Sequence, residues 1–234
     1  MPFTNKTPSS NQTASLQGNL HVLSKTPSVF NCFIAEMRDS VIQKDSMRFR
    51  RNMERAGEIF AYEISKTLSF SIQDITTPLG ISSIAVPTNN IVLATILRAG
   101  LPLHQGFLNY FDKAENAFIA AYRKYGKDYK FTIQLEYLTA PAITGKILIL
   151  MDPMLATGES MHLTYCALME KGQPLHTHVV SPIASKYGVE YIHKNLSQKD
   201  ITLWVGAIDE ELTTKAYIVP GLGDAGDLAY GEKL

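Results

Sequence analysis

The residues best placed to do chemistry are Asp152, Thr157 and Ser160, within the run Ile147-Leu148-Ile149-Leu150-Met151-Asp152-Pro153-Met154-Leu155-Ala156-Thr157-Gly158-Glu159-Ser160. An apolar segment of strand character ends in an acid, and a short loop of Thr, Gly and Ser then leads into a helical pattern. Such a loop binds phosphate: main-chain N–H groups converge on the anion, hydroxyls add donors, and the helix N-terminus contributes its positive dipole end. Asp152 stands too far from the helix to cap it and would face sugar hydroxyls, with Thr157 and Ser160 at a phosphate. The ligand expected is a ribose 5-phosphate. A second candidate is Arg98, which follows the apolar run Ile91–Leu97 and precedes Ala99-Gly100. An arginine held by a glycine turn at the carboxyl edge of a sheet is placed for a diphosphate.

The segment Asp-Pro-Met-Leu-Ala-Thr-Gly-x-Ser resembles the phosphoribosyl diphosphate (PRPP) loop of type I phosphoribosyltransferases, in the form typical of the uracil phosphoribosyltransferases. Ile96-Leu97-Arg98-Ala99-Gly100-Leu101 resembles that family's diphosphate loop, and Tyr217-Ile218-Val219-Pro220-Gly221-Leu222-Gly223-Asp224-Ala225-Gly226-Asp227 its uracil-binding stretch. The likeness runs from about residue 30 to the C-terminus, in the family's order. It implies transfer of phosphoribosyl from PRPP to uracil, giving UMP and diphosphate in pyrimidine salvage. It assigns Asp152 to the ribose hydroxyls and Pro153, Met154, Leu155, Ala156, Thr157, Gly158, Glu159 and Ser160 to PRPP. Arg98 and Arg123 are assigned to the diphosphate, so Arg98, Arg123 and Asp152 are the catalytic candidates. Ile218, Gly223, Asp224 and Ala225 are assigned to uracil, Asp224 also to PRPP, with Tyr217 near the base.

Pro153 stands where many type I enzymes have a second acid, so no residue is expected to ligate Mg²⁺ directly; the ion is expected to arrive on PRPP. Glu159 replaces a glycine usual in the family. A carboxylate beside a phosphate repels it, so Glu159 is expected to point to solvent and cost little. A homodimer or higher homo-oligomer is also implied. Two other readings are a transferase for another nucleobase and a nucleotide-sensing regulator that binds RNA.

Composition narrows these choices. With 234 residues, 45% of them hydrophobic, the chain can bury a full core as one domain. Equal numbers of acidic and basic residues provide no sequence-wide field for a polynucleotide, so no nucleic acid partner is expected. Cys32 and Cys166 lack metal-site spacing, compatible with a reducing cytoplasm. No apolar run reaches the roughly 18 residues of a membrane helix, so no membrane partner is expected either. Residues 1–28, rich in Ser, Thr, Asn, Gln and Pro and lacking a signal-peptide core, read as a mobile polar tail ahead of one domain over residues 29–234. The sequons at Asn5, Asn11 and Asn195 are read as chance.

The elements that must position these groups alternate. Helices are expected over about 29–42, capped by Ser28, and from Asp45 or Ser46 to Leu68. A hairpin should join 70–76 to 81–86 through Thr77-Pro78-Leu79-Gly80. Strands are expected at 91–97, 117–123, 147–151, 179–183 and 201–206, and helices at 101–111, 159–170 and 186–194. An antiparallel flap follows Arg123, with one arm at 131–138 and a turn at 126–130. The fold class is therefore α/β: a mainly parallel central sheet with flanking helices, an antiparallel flap and a small hood, its ligand beyond the carboxyl ends of the strands. Gly221-Leu222-Gly223-Asp224-Ala225-Gly226 matches the dinucleotide pattern G-x-G-x-x-G, but no βαβ unit follows it. It reads instead as a rigid main-chain wall for a planar base. His104, His176 and His178 are not expected to be ligands; only His104 lies near the Arg98 loop.

Overall fold

A computed structural model describes residues 19–125, 131–196 and 200–232; the side chains of residues 122–125 and 131–134 lie outside that description. The strands are β1 (Leu20–Val22), β2 (Phe70–Thr77), β3 (Gly80–Pro87), β4 (Ile91–Leu97), β5 (Glu115–Tyr125), β6 (Phe131–Thr139), β7 (Ile147–Met151), β8 (Met154–Leu155), β9 (His176–Ser185), β10 (Ile201–Asp209), β11 (Glu211–Leu212) and β12 (Ile218–Val219). The helices are α1 (Val29–Arg38), α2 (Ser46–Ser65), α3 (Gly100–Leu108), α4 (Glu159–Met169), α5 (Lys186–Asn195) and α6 (Ala225–Tyr230). The main sheet runs β1-β10-β9-β7-β4-β5-β6, with β8 beside β9. Its pairs are parallel except β5 with β6, the arrangement expected of βαβ crossovers.

The apolar runs of β4 and β7 are buried on both faces because helices cover both. Ile91, Leu93, Ile147, Ile149 and Met151 face one core with Phe30, Met53, Phe60, Leu103 and Phe107 of α1, α2 and α3. Val92, Ala94, Ile96, Leu148 and Leu150 face the other, with Met161, Leu168, Val189 and Ile192 of α4 and α5. The alternation along each strand thus divides the sheet between two layers. On the first layer α2 and α3 meet glycine to glycine. A Cβ at Gly57 would strike the Leu103 carbonyl, and one at Gly106 the Glu54 carbonyl, so neither position admits a methyl.

Several boundaries differ from expectation. Helix α1 stops at Arg38 because Asp39 Oδ1 accepts from the amides of Val41 and Ile42 at 2.8 and 2.9 Å, a local turn that competes with the helix. Helix α2, capped by Asp45 as expected, ends at Ser65 in tighter turns, with Thr67 N donating to Ile64 O at 2.9 Å. The expected tail boundary at residue 28 is corrected. Leu20–Val22 pairs with β10 through Leu20↔Leu203 and Val22↔Val205, because the edge of β10 needs main-chain partners and Leu20 and Val22 pack against the second core. Residues 1–18 and the expected flap turn at 126–130 lie outside the described residues.

The histidine pair is structural. Trp204 Nε1 donates to His178 Nδ1 at 3.1 Å, and burial pushes the His178 pKa down to about 3, holding the ring neutral. His176 Nε2 meets Thr202 Oγ1 at 2.9 Å.

Candidate active site

Both anion loops leave neighbouring strands at one edge of the sheet. Thr95 of β4 pairs with Met151 of β7, so the Arg98 turn and the Asp152 loop begin side by side. Gly100 makes the approach possible: a Cβ there would strike Thr95 Oγ1 and lie 3.8 Å from the Met151 carbonyl.

Asp152 is tied down by main-chain contacts. Its N–H donates to Val180 O at 3.1 Å, and its Oδ1 accepts from Met154 N at 3.3 Å in an Asx turn. The loop beyond begins as strand. Met154 and Leu155 form β8 and pair with Ile183 and Ala184, Pro153 O accepts from Ile183 N at 3.2 Å, and the Leu155 side chain is buried in the second core. Leu155 can therefore offer a ligand only main chain. Ala156, Thr157, Glu159 and Ser160 are half-buried around the buried Gly158.

Gly158 caps α4 in the left-handed region at φ 82° and has no side chain to bond the helix end. The Glu159 amide donates to Thr157 Oγ1 at a long 3.5 Å, and the first-turn amides of this eleven-residue helix lie at the loop. A Cβ on Gly158 would come within 2.8 Å of Tyr191 Cδ1, so the glycine is required by its conformation and by its neighbour. Ser185 supports the same loop from below. It accepts from Gly188 N at 2.8 Å and donates to Ala156 O at 2.6 Å. Glu159 is half-buried in the first turn of α4, beside Tyr191. Burial, then the Glu159 charge, pushes the Tyr191 phenol up from its ordinary value.

Arg98 is exposed and bridges to the C-terminal helix: Nη2 donates to Gly231 O at 3.1 Å and lies 3.6 Å from Asp227 Oδ1. Arg123 sits on β5 in register with Ile133; its side chain lies outside the described residues.

The C-terminal wall is built by a network that local sequence does not announce. Arg38 grips both carboxylate oxygens of Asp209 at 2.8 Å and donates to Gly221 O at 2.9 Å, while Gly221 N donates to Asp209 Oδ2 at 2.9 Å. Gly221, at φ 57°, and Gly223, at φ 91°, adopt the left-handed backbone that lets the chain turn there. Ile218 faces the core at 3% exposure, so its side chain is turned away from any base and only its main chain remains available. Tyr217 is exposed. Asp224 caps α6: its Oδ1 accepts from Gly226 N at 2.8 Å and Asp227 N at 3.0 Å. Only Oδ2 is then left for a ligand. Ala225 is buried as the first residue of that helix. The G-x-G-x-x-G match follows the two-residue strand β12 of a separate two-stranded sheet, not a strand of the parallel sheet, so it is no dinucleotide fingerprint.

His104 faces away from this chemistry. Asn116 Nδ2 donates to Ala114 O, which turns Asn116 Oδ1 toward His104 Nε2 at 2.7 Å and makes that nitrogen the protonated one. Burial lowers its pKa, partly opposed by the Asn116 bond. Among the described residues no group of three or more His, Cys, Asp or Glu is placed to hold a metal ion.

The family model "Uracil phosphoribosyltransferase" matches residues 24–232. A uracil phosphoribosyltransferase from Porphyromonas gingivalis is 57% identical over 207 residues, covering 88% of this chain and 95% of that protein. One from Methanothermobacter thermautotrophicus is 39% identical, covering 80% of this chain and 85% of its own length. One from Pyrococcus furiosus is 34% identical over 92% and 91%. The solved structure of the AQ2163 protein from Aquifex aeolicus aligns with a TM-score of 0.80 at 27% identity, covering 91% of this chain and 98% of that one.

Proposed function

The chain belongs to the uracil phosphoribosyltransferase family, and from that premise we propose how its residues divide the work. The reaction is transfer of phosphoribosyl to uracil, a step of pyrimidine salvage. Departure of diphosphate from the sugar leaves oxocarbenium-like positive charge, so catalysis is chiefly electrostatic positioning. Arg98 and Arg123 hold the leaving diphosphate, the Asp152 carboxylate holds ribose hydroxyls, and the Ala156 to Ser160 main chain with the Thr157 and Ser160 hydroxyls holds the 5-phosphate. The main chain of Ile218 and of Gly223 to Ala225 presents donors and acceptors to the imide edge of uracil, beside Tyr217. The observation that carries this reading is the side-by-side start of the Arg98 and Asp152 loops at Thr95↔Met151, with Arg98 touching the helix that follows the base wall.

A single carboxylate, Asp152, at the loop mouth suits a Mg²⁺ ion held mainly by PRPP oxygens. When bound, that ion supplies positive charge to the diphosphate. The β5–β6 flap excludes water from the sugar cation. No helix among the described residues is long and apolar enough to cross a membrane, and we place the enzyme in the cytoplasm without a nucleic acid partner. The test is an assay of the full chain with Mg²⁺, PRPP and each of uracil, cytosine, hypoxanthine and orotate. UMP formation with uracil is expected; turnover on a purine alone would overturn the assignment.

Glu159 is compatible with this site because it occupies the first position of α4, where a carboxylate favours the helix by about 0.3–1 kcal/mol. Glu159→Gly is expected to lower the PRPP KM by less than tenfold and to lose about 1 kcal/mol of stability from the helix. Steady-state kinetics and denaturant melts read the two effects; a larger fall in KM would mean that the carboxylate faces the phosphate.

The β2–β3 hairpin supports a homo-oligomer. Among the described residues its strands pair only with each other, and Phe70, Ile72, Leu79, Ile81 and Ile84 are 48–100% exposed. Asp74 is the only charged residue from 70 to 87. A two-stranded hairpin in water is marginal, and an apolar arm depleted of charge has interface composition. A second copy of the chain covers it in this reading. Sedimentation should give at least a dimer, and Ile72→Lys with Ile81→Lys should shift it toward monomer; a monomeric parent protein would refute the proposal.

A further inference from the structure

The C-terminal helix α6 touches both halves of the site. Asp224 at its N-terminus belongs to the base wall and caps the helix, while Asp227 in its first turn and Gly231 just beyond its end meet Arg98. The helix is held from the other side by Arg50, whose Nη1 donates to Ala229 O at 2.7 Å. Asp227 Oδ1 is buried and has no hydrogen-bond partner among the described residues, although Arg98 Nη2 is only 3.6 Å away. A buried acceptor left in that state is costly. A closure of roughly 0.7 Å would bring it to the charge-assisted hydrogen-bond distance.

We infer that Asp227 is a positioning residue for Arg98. Its carboxylate, with the Gly231 carbonyl, holds the guanidinium at one edge and aims its remaining N–H groups at the diphosphate. Arginine carries five N–H donors in a rigid fork, and one is spent on Gly231, so gripping this edge leaves the rest for the ligand. The unpartnered oxygen is the acceptor that the guanidinium takes when it settles on the diphosphate. Because Asp224 and Asp227 share one short helix, the base wall and the diphosphate arginine are joined through it.

This inference rests on the assignment of Arg98 to the diphosphate, and the sign of one substitution separates it from simpler roles. A carboxylate acting only as a nearby negative charge repels diphosphate, so Asp227→Asn would tighten diphosphate binding. A positioning carboxylate gives the reverse. Asp227→Asn in the full enzyme is expected to raise the PRPP KM and the diphosphate product-inhibition constant about fivefold each. The uracil KM at saturating PRPP should stay within twofold, because the Asp224 cap is intact. Asp227→Glu should recover part of the loss, and the melting temperature should stay within a few degrees. In the Arg98→Ala background, Asp227→Asn should have no further effect, since the two act as one unit.

Tighter or unchanged diphosphate inhibition in Asp227→Asn overturns the inference. So does a rise in the uracil KM equal to that for PRPP, which would mark a general loosening of α6. Unchanged diphosphate inhibition in Arg98→Ala itself would instead remove the assignment of Arg98 on which the inference stands.

Discussion

Arg38→Ala is expected to destabilise the enzyme by about 3 kcal/mol, near the lower end of the cost of stripping one partner from a buried ion pair. The cause is specific. Asp209 is 8% exposed, its two oxygens are both engaged by Arg38, and the same guanidinium closes on Gly221 O. Removing the cation leaves a buried carboxylate with the Gly221 amide as its remaining donor among the described residues. The base wall then loses the bracket that joins it to α1 and to the end of β10. The uracil KM should therefore rise about tenfold while the PRPP KM moves much less. Arg38→Lys should fall between, because an ammonium cannot reproduce the two-pronged contact. Denaturant melts and two-substrate kinetics supply the readouts. A loss under 1 kcal/mol, or equal movement of both KM values, would contradict this account of the wall.

Arg98→Ala should instead spare stability and damage turnover. The side chain is 41% exposed and that of Asp227 35%, a partly solvated pair at 3.6 Å, so the melting temperature should change little. Removing a donor aimed at charge that develops in the transition state typically costs roughly 10²–10³ in rate. A fall of that order in kcat/KM for PRPP is expected, with Arg98→Lys in between. Retention of activity within fivefold would show that the leaving diphosphate is held elsewhere.

What could be read from the sequence follows from where each signal is stored. The strands at Ile91–Leu97 and Ile147–Met151 are legible to the residue because continuous apolar runs end abruptly at Arg98 and Asp152. Asp45 and Ser28 are legible as caps because capping is a local contract between neighbouring residues. Strand β1 is not. Three residues are too few to show a period, and their reason for being extended is the open edge of β10, more than 170 residues away. The same holds for Arg38 and Asp209, separated by 171 positions. Neither residue carries a local pattern that names the other. Within the motifs, the sequence marks Asp224 and the PRPP loop, but not that Asp224 spends one oxygen on its helix or that Leu155 turns into the core. Asp227 ends the stretch Tyr217–Asp227, and its pairing with Arg98 emerges only when the chain's end folds back over the sheet.

The glycine-to-glycine seam between α2 and α3 bears on how the pocket can move. Helix α3 starts at the Arg98 turn and is pressed so closely on α2 that no methyl fits between them. That side of the cleft behaves as an anvil. A methyl at either glycine would have to part the two helices, and the displacement would reach the Arg98 turn as well as the core.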